Sequence, residues 1–327
     1  MRYLIAGFGS IGRRHFHNLL TLGERDILLY HTHHSTLPDA ELAGYPVEID
    51  LRAALAHKPD AVIISNPTAL HLDVAIPAAH FGCHLLIEKP ISHSLARLDE
   101  LKQAIDQNHN HVLVGFQFRF HPGLLQLKKL LDEGAIGEPV SARAHWGEYL
   151  PSWHPWEDYR QGYAARPELG GGVVLTLSHP LDYLRWLLGE VESVSAFTSH
   201  LGLNMPVEDT AEITLRFANG ALGSVHLNFI QRPPSHWLEI IGIRGTLRWD
   251  NADGITRLTR IGLEDNAVSF QEFFPPEGFE RNSMFLDELR HFLEVINGAA
   301  EPLCTLQDGI QALQLSLSAL ASMQQNR

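Results

Sequence analysis

The chain has 327 residues, of which 45% are hydrophobic, and a length of this order predicts two domains with sizeable cores. Its formal net charge of −13 excludes wrapping of a nucleic-acid backbone and docking on an anionic membrane, both of which need lysine and arginine. Two cysteines far apart, Cys83 and Cys304, exclude a disulfide framework or a cysteine zinc site and point to the reducing cytoplasm.

Taken in order, Tyr3-Leu4-Ile5-Ala6 is an apolar run that predicts a buried strand. It breaks into Gly7-Phe8-Gly9-Ser10-Ile11-Gly12, and a helical stripe begins at once with Ile11, His15, Leu19 and Leu20. No apolar run approaches the ~18 residues of a membrane span, and no signal peptide is expected ahead of this strand. Asp26 to His31 is a second strand, Leu51 to His57 a short helix, and Ala61 to Ile64 a third strand ending at Ser65-Asn66-Pro67. A helix is predicted over 68–81, with Thr68 as its cap. A strand over 84–87, a helix over 94–106 with Leu95 on its apolar stripe, and a strand over 111–116 complete the series. Strands alternating with helices predict a parallel, doubly wound α/β sheet, with its ligand crevice at the carboxyl ends of the strands.

After about residue 120 the pattern changes. A helix over 124–132 leads to a strand over 140–148 and an aromatic loop over 149–160. Gly170-Gly171-Gly172 precedes a helix over 180–188, and then strands dominate: 191–198, 210–217, 222–229, 237–241 and 246–249. Asn219-Gly220 is a hairpin signal. Helices over 283–297 and 307–323 finish the chain. The expected architecture is a Rossmann domain over 1–119 and an α+β domain over 120–327 built on a large, mostly antiparallel sheet, with the default site in the cleft between them.

Four stretches carry polar groups suited to chemistry. In the glycine turn, Gly7 permits the tight bend, Gly9 lets backbone approach a pyrophosphate, and Gly12 lets helix pack on strand. The amides of Ser10, Ile11 and Gly12 then face the phosphates. Ser65 to Thr68 with His71 either caps a helix or contacts ribose or nicotinamide. Glu88-Lys89-Pro90 follows a buried strand; it is either a solvated pair or a lysine that holds an oxygen beside a nicotinamide. His179, at the mouth of a helix opened by Pro180, suits proton transfer. Asp182 is read as complementing the dipole of that helix. The 20 histidines cluster at 15 and 17, at 31, 33 and 34, and at 109 and 111, without Cys, Asp or Glu at ligand spacing, so no metal is expected.

Together these stretches resemble the Gfo/Idh/MocA oxidoreductases over nearly the whole chain. The matching segments are Gly7 to His15, Asn66-Pro67-Thr68 with His71, Ala79 to His84 running into Glu88-Lys89-Pro90, Gly170-Gly171-Gly172 before His179 and Asp182, and the tail, Phe285 to Phe292 and then Pro302 to Leu313. The resemblance implies NAD(P)-dependent hydride transfer at a hydroxyl-bearing carbon of a sugar, nucleotide sugar or cyclitol. Lys89 and His179 would be catalytic. Gln117 would lie near the nicotinamide, and a homo-oligomer, dimer or tetramer, would form. His31, Thr32 and His33 are added to the cofactor set. Trp153, Trp156, Tyr159, Arg160, Arg166 and Thr176 are expected to line the substrate side with Lys89 and His179.

Two departures from the family pattern stand out. Leu175 occupies the place where an aspartate often precedes the active-site histidine. No carboxylate follows Tyr30 until Asp39, so nothing repels a 2′-phosphate, and Thr32, His33 and Ser35 can donate to one; this favours NADP over NAD. The alternatives are a dinucleotide-binding regulator without turnover and a redox-neutral epimerase or glycosidase.

Overall fold

The structure is a computed structural model and describes residues 1–33, 42–262 and 267–322. His34, Ser35 and Asp39 lie outside the described residues. The chain divides into two compact units. The first comprises Met1–Gln117, Glu168–Gly170 and Arg281–Leu313, and the second the remainder.

The first unit is a parallel sheet with helical crossovers. Its strands are β1 (Tyr3–Ala6), β2 (Ile27–Tyr30), β3 (Val47–Glu48), β4 (Ala61–Ile64), β5 (His84–Glu88) and β6 (Val112–Gly115), in the order β3-β2-β1-β4-β5-β6. All pairings are parallel. β1, β4 and β6 are buried along their whole length, as a sheet covered on both faces requires. The helices are α1 (Ser10–Thr21), α2 (Leu51–Ala56), α3 (His71–His80) and α4 (Leu98–Asn108).

Two expectations are corrected here. Thr68 does not cap α3: it opens a 3-10 turn over Thr68–Leu70, and Leu70 stands at the head of the helix without a side-chain cap. α4 starts four residues later than the apolar spacing suggests. Arg97 takes a left-handed backbone (φ +66°) and is held by Asp73 and Glu100 at 2.6 and 2.8 Å, while Leu95 is exposed ahead of the helix.

The second unit opens with α5 (Pro122–Asp132) and β7 (Pro139–Tyr149), followed by two helices, α6 (Val173–Thr176) and α7 (His179–Leu188). Then come β8 (Val191–Ser199), β9 (Thr210–Phe217), β10 (Leu222–Asn228), β11 (Ile230–Gly242), β12 (Gly245–Asp250), β13 (Thr256–Ile261) and β14 (Val268–Phe273). The sheet order is β14-β13-β12-β11-β7-β10-β9-β8, antiparallel except where β10 runs parallel to β7. β9 alternates strictly, burying Ala211, Ile213, Leu215 and Phe217 on one face. The last helices are α8 (Arg281–Ile296) and α9 (Leu306–Ser322). α8 returns to the first unit and lies against α1, where Asn282 donates to Asn18 at 2.8 Å and the Arg14 guanidinium sits 4.6 Å from the Phe285 ring. No helix among the described residues is long and apolar enough to cross a membrane.

The start of α5 makes the second unit acid-sensitive. Nδ1 of His121 accepts the backbone N–H of Gly123 at 3.0 Å, so that nitrogen carries no proton. The ring is 1% exposed, close to Trp249 and Phe279, and burial pushes its pKa down to about 4. The unfolded chain therefore takes up a proton near pH 6.5 that the native ring refuses until pH 4. Stability is full above pH 6.5 and falls on acidification toward pH 4, by up to about 3 kcal/mol. Urea unfolding across that range should show the loss, and His121→Asn, which keeps a cap acceptor but gains no proton, should flatten it.

Candidate active site

In the first unit every strand points its carboxyl end to the same edge, so the turns after β1, β2, β4, β5 and β6 share one rim. The turn after β1 is tightly constrained. Gly7 has φ +92°, and a Cβ there would sit 2.5 Å from the amide nitrogen of Asn66 in the turn after β4. A Cβ at Gly12 would come 2.0 Å from the carbonyl oxygen of Gly7, so helix and turn touch backbone to backbone. Gly9 differs, because a Cβ there would meet nothing within 4 Å. Gly9 also heads α1 with no side-chain cap, which leaves the first-turn amides of Ser10, Ile11 and Gly12 without the usual side-chain acceptor. An open backbone beside an uncapped helix start is what a bound pyrophosphate needs.

The other turns add polar groups to this rim. His71 is buried and reaches two carbonyls, Asn66 O at 2.9 Å and Pro90 O at 3.0 Å, which ties the turn after β4 to the turn after β5. Burial lowers its pKa, while the carbonyls and Glu88 oppose that shift. Thr68 is buried beside Gly170. Glu88 is buried, Lys89 is half-buried, and the Lys89 backbone N–H donates to Oε2 of Glu88 at 3.3 Å. Two buried amide oxygens, Asn66 Oδ1 and Gln117 Oε1, have no hydrogen-bond partner among the described residues. After β2, His31 is buried against the rings of Phe8 and His33, whereas Thr32 and His33 are exposed. The constrained glycines, the open Gly9 and the orphaned amide oxygens fit a dinucleotide.

The second unit holds His179 at the first position of α7, 1% exposed. Its ring lies 4.8 Å from Phe118 and 5.5 Å from Trp146. Trp146 in turn stacks on His236 at 4.5 Å, because β7 and β11 pair in that register. Thr176 and Leu175, at the end of α6, are both buried. Asp182 lies in the first turn of α7, where the sequence places it to complement the helix dipole, and it has a further partner. It forms a two-pronged ion pair with Arg119 at 2.7 and 3.0 Å, and both side chains are 2% exposed.

In the aromatic loop, Trp153 packs edge-on to Phe229 and Trp156 is exposed. The Tyr159 hydroxyl donates to Leu203 O at 3.0 Å, and exposed Arg160 lies over the Tyr159 ring and near Asp158. Arg166 is half-buried.

Comparison with known proteins decides the family. Residues 1–116 match the family model described as oxidoreductase family, NAD-binding Rossmann fold, and residues 124–248 match the GFO/IDH/MocA C-terminal domain. The chain belongs to the Gfo/Idh/MocA family. Relatives within it include myo-inositol 2-dehydrogenase of Thermotoga maritima, 28% identical and covering 100% of this chain and 97% of its own. Another is scyllo-inositol 2-dehydrogenase (NAD(+)) of Bacillus subtilis, 27% identical over 80% of this chain and 75% of its own. Among solved structures, levoglucosan dehydrogenase in complex with NADH and levoglucosan superposes with a TM-score of 0.89, at 20% identity, over 100% of this chain and 98% of that one. This Gfo/Idh/MocA protein is thus an NAD-binding oxidoreductase with the family fold.

The surroundings of these residues were less visible in sequence. Phe118, Trp146 and His236 near His179, Arg119 as the partner of Asp182, and Glu288 beside Glu88 were not singled out, and His15 was named only on the α1 stripe, in a histidine cluster and in the opening family segment. Only strand alternation hinted at Trp146, between buried Ala144 and the strand end.

Proposed function

We propose that this protein transfers a hydride between NAD(P) and a hydroxyl-bearing carbon of a sugar, nucleotide sugar or cyclitol. The turn geometry around Gly7, Gly9 and Gly12 carries this reading, supported by the substrates named for the inositol dehydrogenases and levoglucosan dehydrogenase. The amides of Ser10, Ile11 and Gly12 hold the pyrophosphate; Asn66, Thr68, His71, Glu88 and Gln117 hold the ribose and carboxamide. When bound, the nicotinamide supplies the hydride acceptor or donor. His179 takes the hydroxyl proton. Lys89 hydrogen-bonds the same oxygen and stabilises the negative charge that develops on it. Thr176 replaces the missing aspartate beside His179, and Trp153, Trp156, Tyr159, Arg160 and Arg166 line the substrate side, where aromatic faces suit the C–H faces of a sugar ring.

Residues 1–119 bind the nucleotide, and residues 120–327 bind substrate and oligomerise. His31, Thr32 and His33 border the adenosine ribose, and the exposed Thr32 and His33 put NADP ahead of NAD. We place the enzyme in the cytoplasm as a dimer or tetramer.

The test follows absorbance of the reduced cofactor with NAD and NADP across sugars, cyclitols and nucleotide sugars. Turnover with at least one is the expected result. Product without net cofactor change would indicate a redox-neutral reaction, and cofactor binding without product a sensor. Gly9→Ala supplies the control. Its added methyl meets no protein atom, so the melting temperature should hold while cofactor affinity falls on the order of tenfold or more. Unchanged affinity would sink the assignment of the glycine turn.

A further inference from the structure

Set beside the carboxyl end of β5 is a cluster drawn from three distant segments. Glu88 of β5, His15 of α1 and Glu288 of α8 are all buried, and one nitrogen or oxygen from each lies within 4.8 Å of the others. Hydrogen bonding separates the two carboxyls. Oε1 of Glu88 meets Nε2 of His15 at 2.8 Å, and Oε2 receives the Lys89 backbone N–H at 3.3 Å. Both oxygens of Glu288 are buried with no hydrogen-bond partner among the described residues. A carboxyl that accepts two N–H groups is favoured as the anion; one that accepts none, in dry surroundings, is favoured as the acid. Two ionised carboxyls this close and out of water repel each other, and one retained proton removes the conflict.

We propose that Glu288 works as a neutral acid and, through His15 and Glu88, as a positioning residue for Lys89. The idea rests on the reading that places Lys89 at the reacting oxygen. His15 carries its proton on Nε2, where the Glu88 anion accepts it. The other ring nitrogen, Nδ1, is buried without a partner, and a ligand histidine would ordinarily donate from that position to a second group. This favours a proton retained on Glu288 over a metal ion among the three side chains. Burial, and then the Glu88 charge, push the Glu288 carboxyl well above its ordinary range. Other charged or titratable groups near Glu88 include Arg14, itself close to Arg281, His71, and the adjacent Lys89. Ionising Glu288 places a second negative charge against Glu88 and loosens the link from His15 to the Lys89 backbone.

An acid whose folded pKa is raised contributes stability that is complete below its ordinary value and is lost as pH rises through the folded value. Thermal unfolding of wild type and E288Q is therefore compared from about pH 5 to about pH 9. Wild type should lose melting temperature relative to E288Q as pH rises, and E88Q, which removes the neighbouring charge, should move that loss to lower pH. Parallel curves for wild type and E288Q overturn the neutral acid. So does a Zn²⁺-dependent rise in wild-type melting temperature that E288Q lacks, because the cluster would then be a metal site. For the positioning role, the wild-type kcat profile should decline on the alkaline side and that of E288Q should lack this decline; profiles of identical shape overturn it. Absence of any hydride transfer by wild type is instead a failure of the proposed reaction, and it leaves the unfolding comparison standing.

Discussion

Lys89→Ala is expected to lower kcat by about 10²–10⁴-fold while dinucleotide affinity changes little. The two effects separate because they rest on different atoms. In the proposed reading the cofactor would be held mainly by backbone: the first-turn amides of α1, which have no side-chain cap, and the turn where Gly7 approaches Asn66. Lys89 contributes a point charge with three donors at the end of β5, half-buried, where a developing alkoxide gains most from it. Lys89→Arg should not restore turnover, since a planar fork places its donors differently from a compact ammonium. Steady-state kinetics on the substrate found in the panel, with cofactor titration by fluorescence quenching, check both halves. Wild-type kcat in Lys89→Ala would remove the lysine from the reaction.

The largest effect on stability is expected at Asp182. Its carboxylate and the Arg119 guanidinium are both 2% exposed and make two parallel hydrogen bonds. Asp182→Ala removes the carboxylate that accepts both of these bonds from a buried guanidinium, a change that typically costs about 3–5 kcal/mol. The double replacement Arg119→Met with Asp182→Leu should recover most of that loss, because the cost lies in the buried charge left behind rather than in the missing attraction. Denaturant midpoints of the two single variants and the double variant form the measurement. Additive losses would show that packing, not charge, dominates the site. Since Asp182 lies one turn along α7 from His179, the single variant should also disturb the imidazole.

Much of this architecture is legible in the sequence because it is local. Four-residue apolar runs mark β1 and β4, and the glycine hexad locates the turn that follows β1. The strong Asn219-Gly220 signal marks a real hairpin, closed by Phe217 and Ala221. The failures have physical reasons. The sequence reading gives only 237–241 of β11; the strand's first half carries Pro233 and Pro234, which fall where the pairing with β7 is interrupted, between Ile230 and Ser235. β13 and β14 were missed; β14 is mostly exposed and lacks the alternation of a half-buried strand.

The site residues divide the same way. Lys89 and His179 follow recognisable breaks in the pattern. Arg119 with Asp182, Trp146 with His236, and His15 with Glu88 and Glu288 are partners across 63 residues or more, and only the completed topology brings them together.

The return of α8 to α1 bears on how the molecule is made. The dinucleotide-binding unit is interrupted by the sheet-bearing unit and regains its last helix only at Arg281. On the ribosome, its opening strands and glycine turn must wait, with the α1 surface that later receives Asn282 and Phe285 uncovered, until most of the polypeptide has been synthesised. The sheet-bearing unit is nearly continuous from residue 118 to 280 but takes a last piece from residue 314 onward, where Ser322 Oγ accepts the backbone N–H of Ala196 at 2.9 Å, so both units wait for polypeptide made after residue 280.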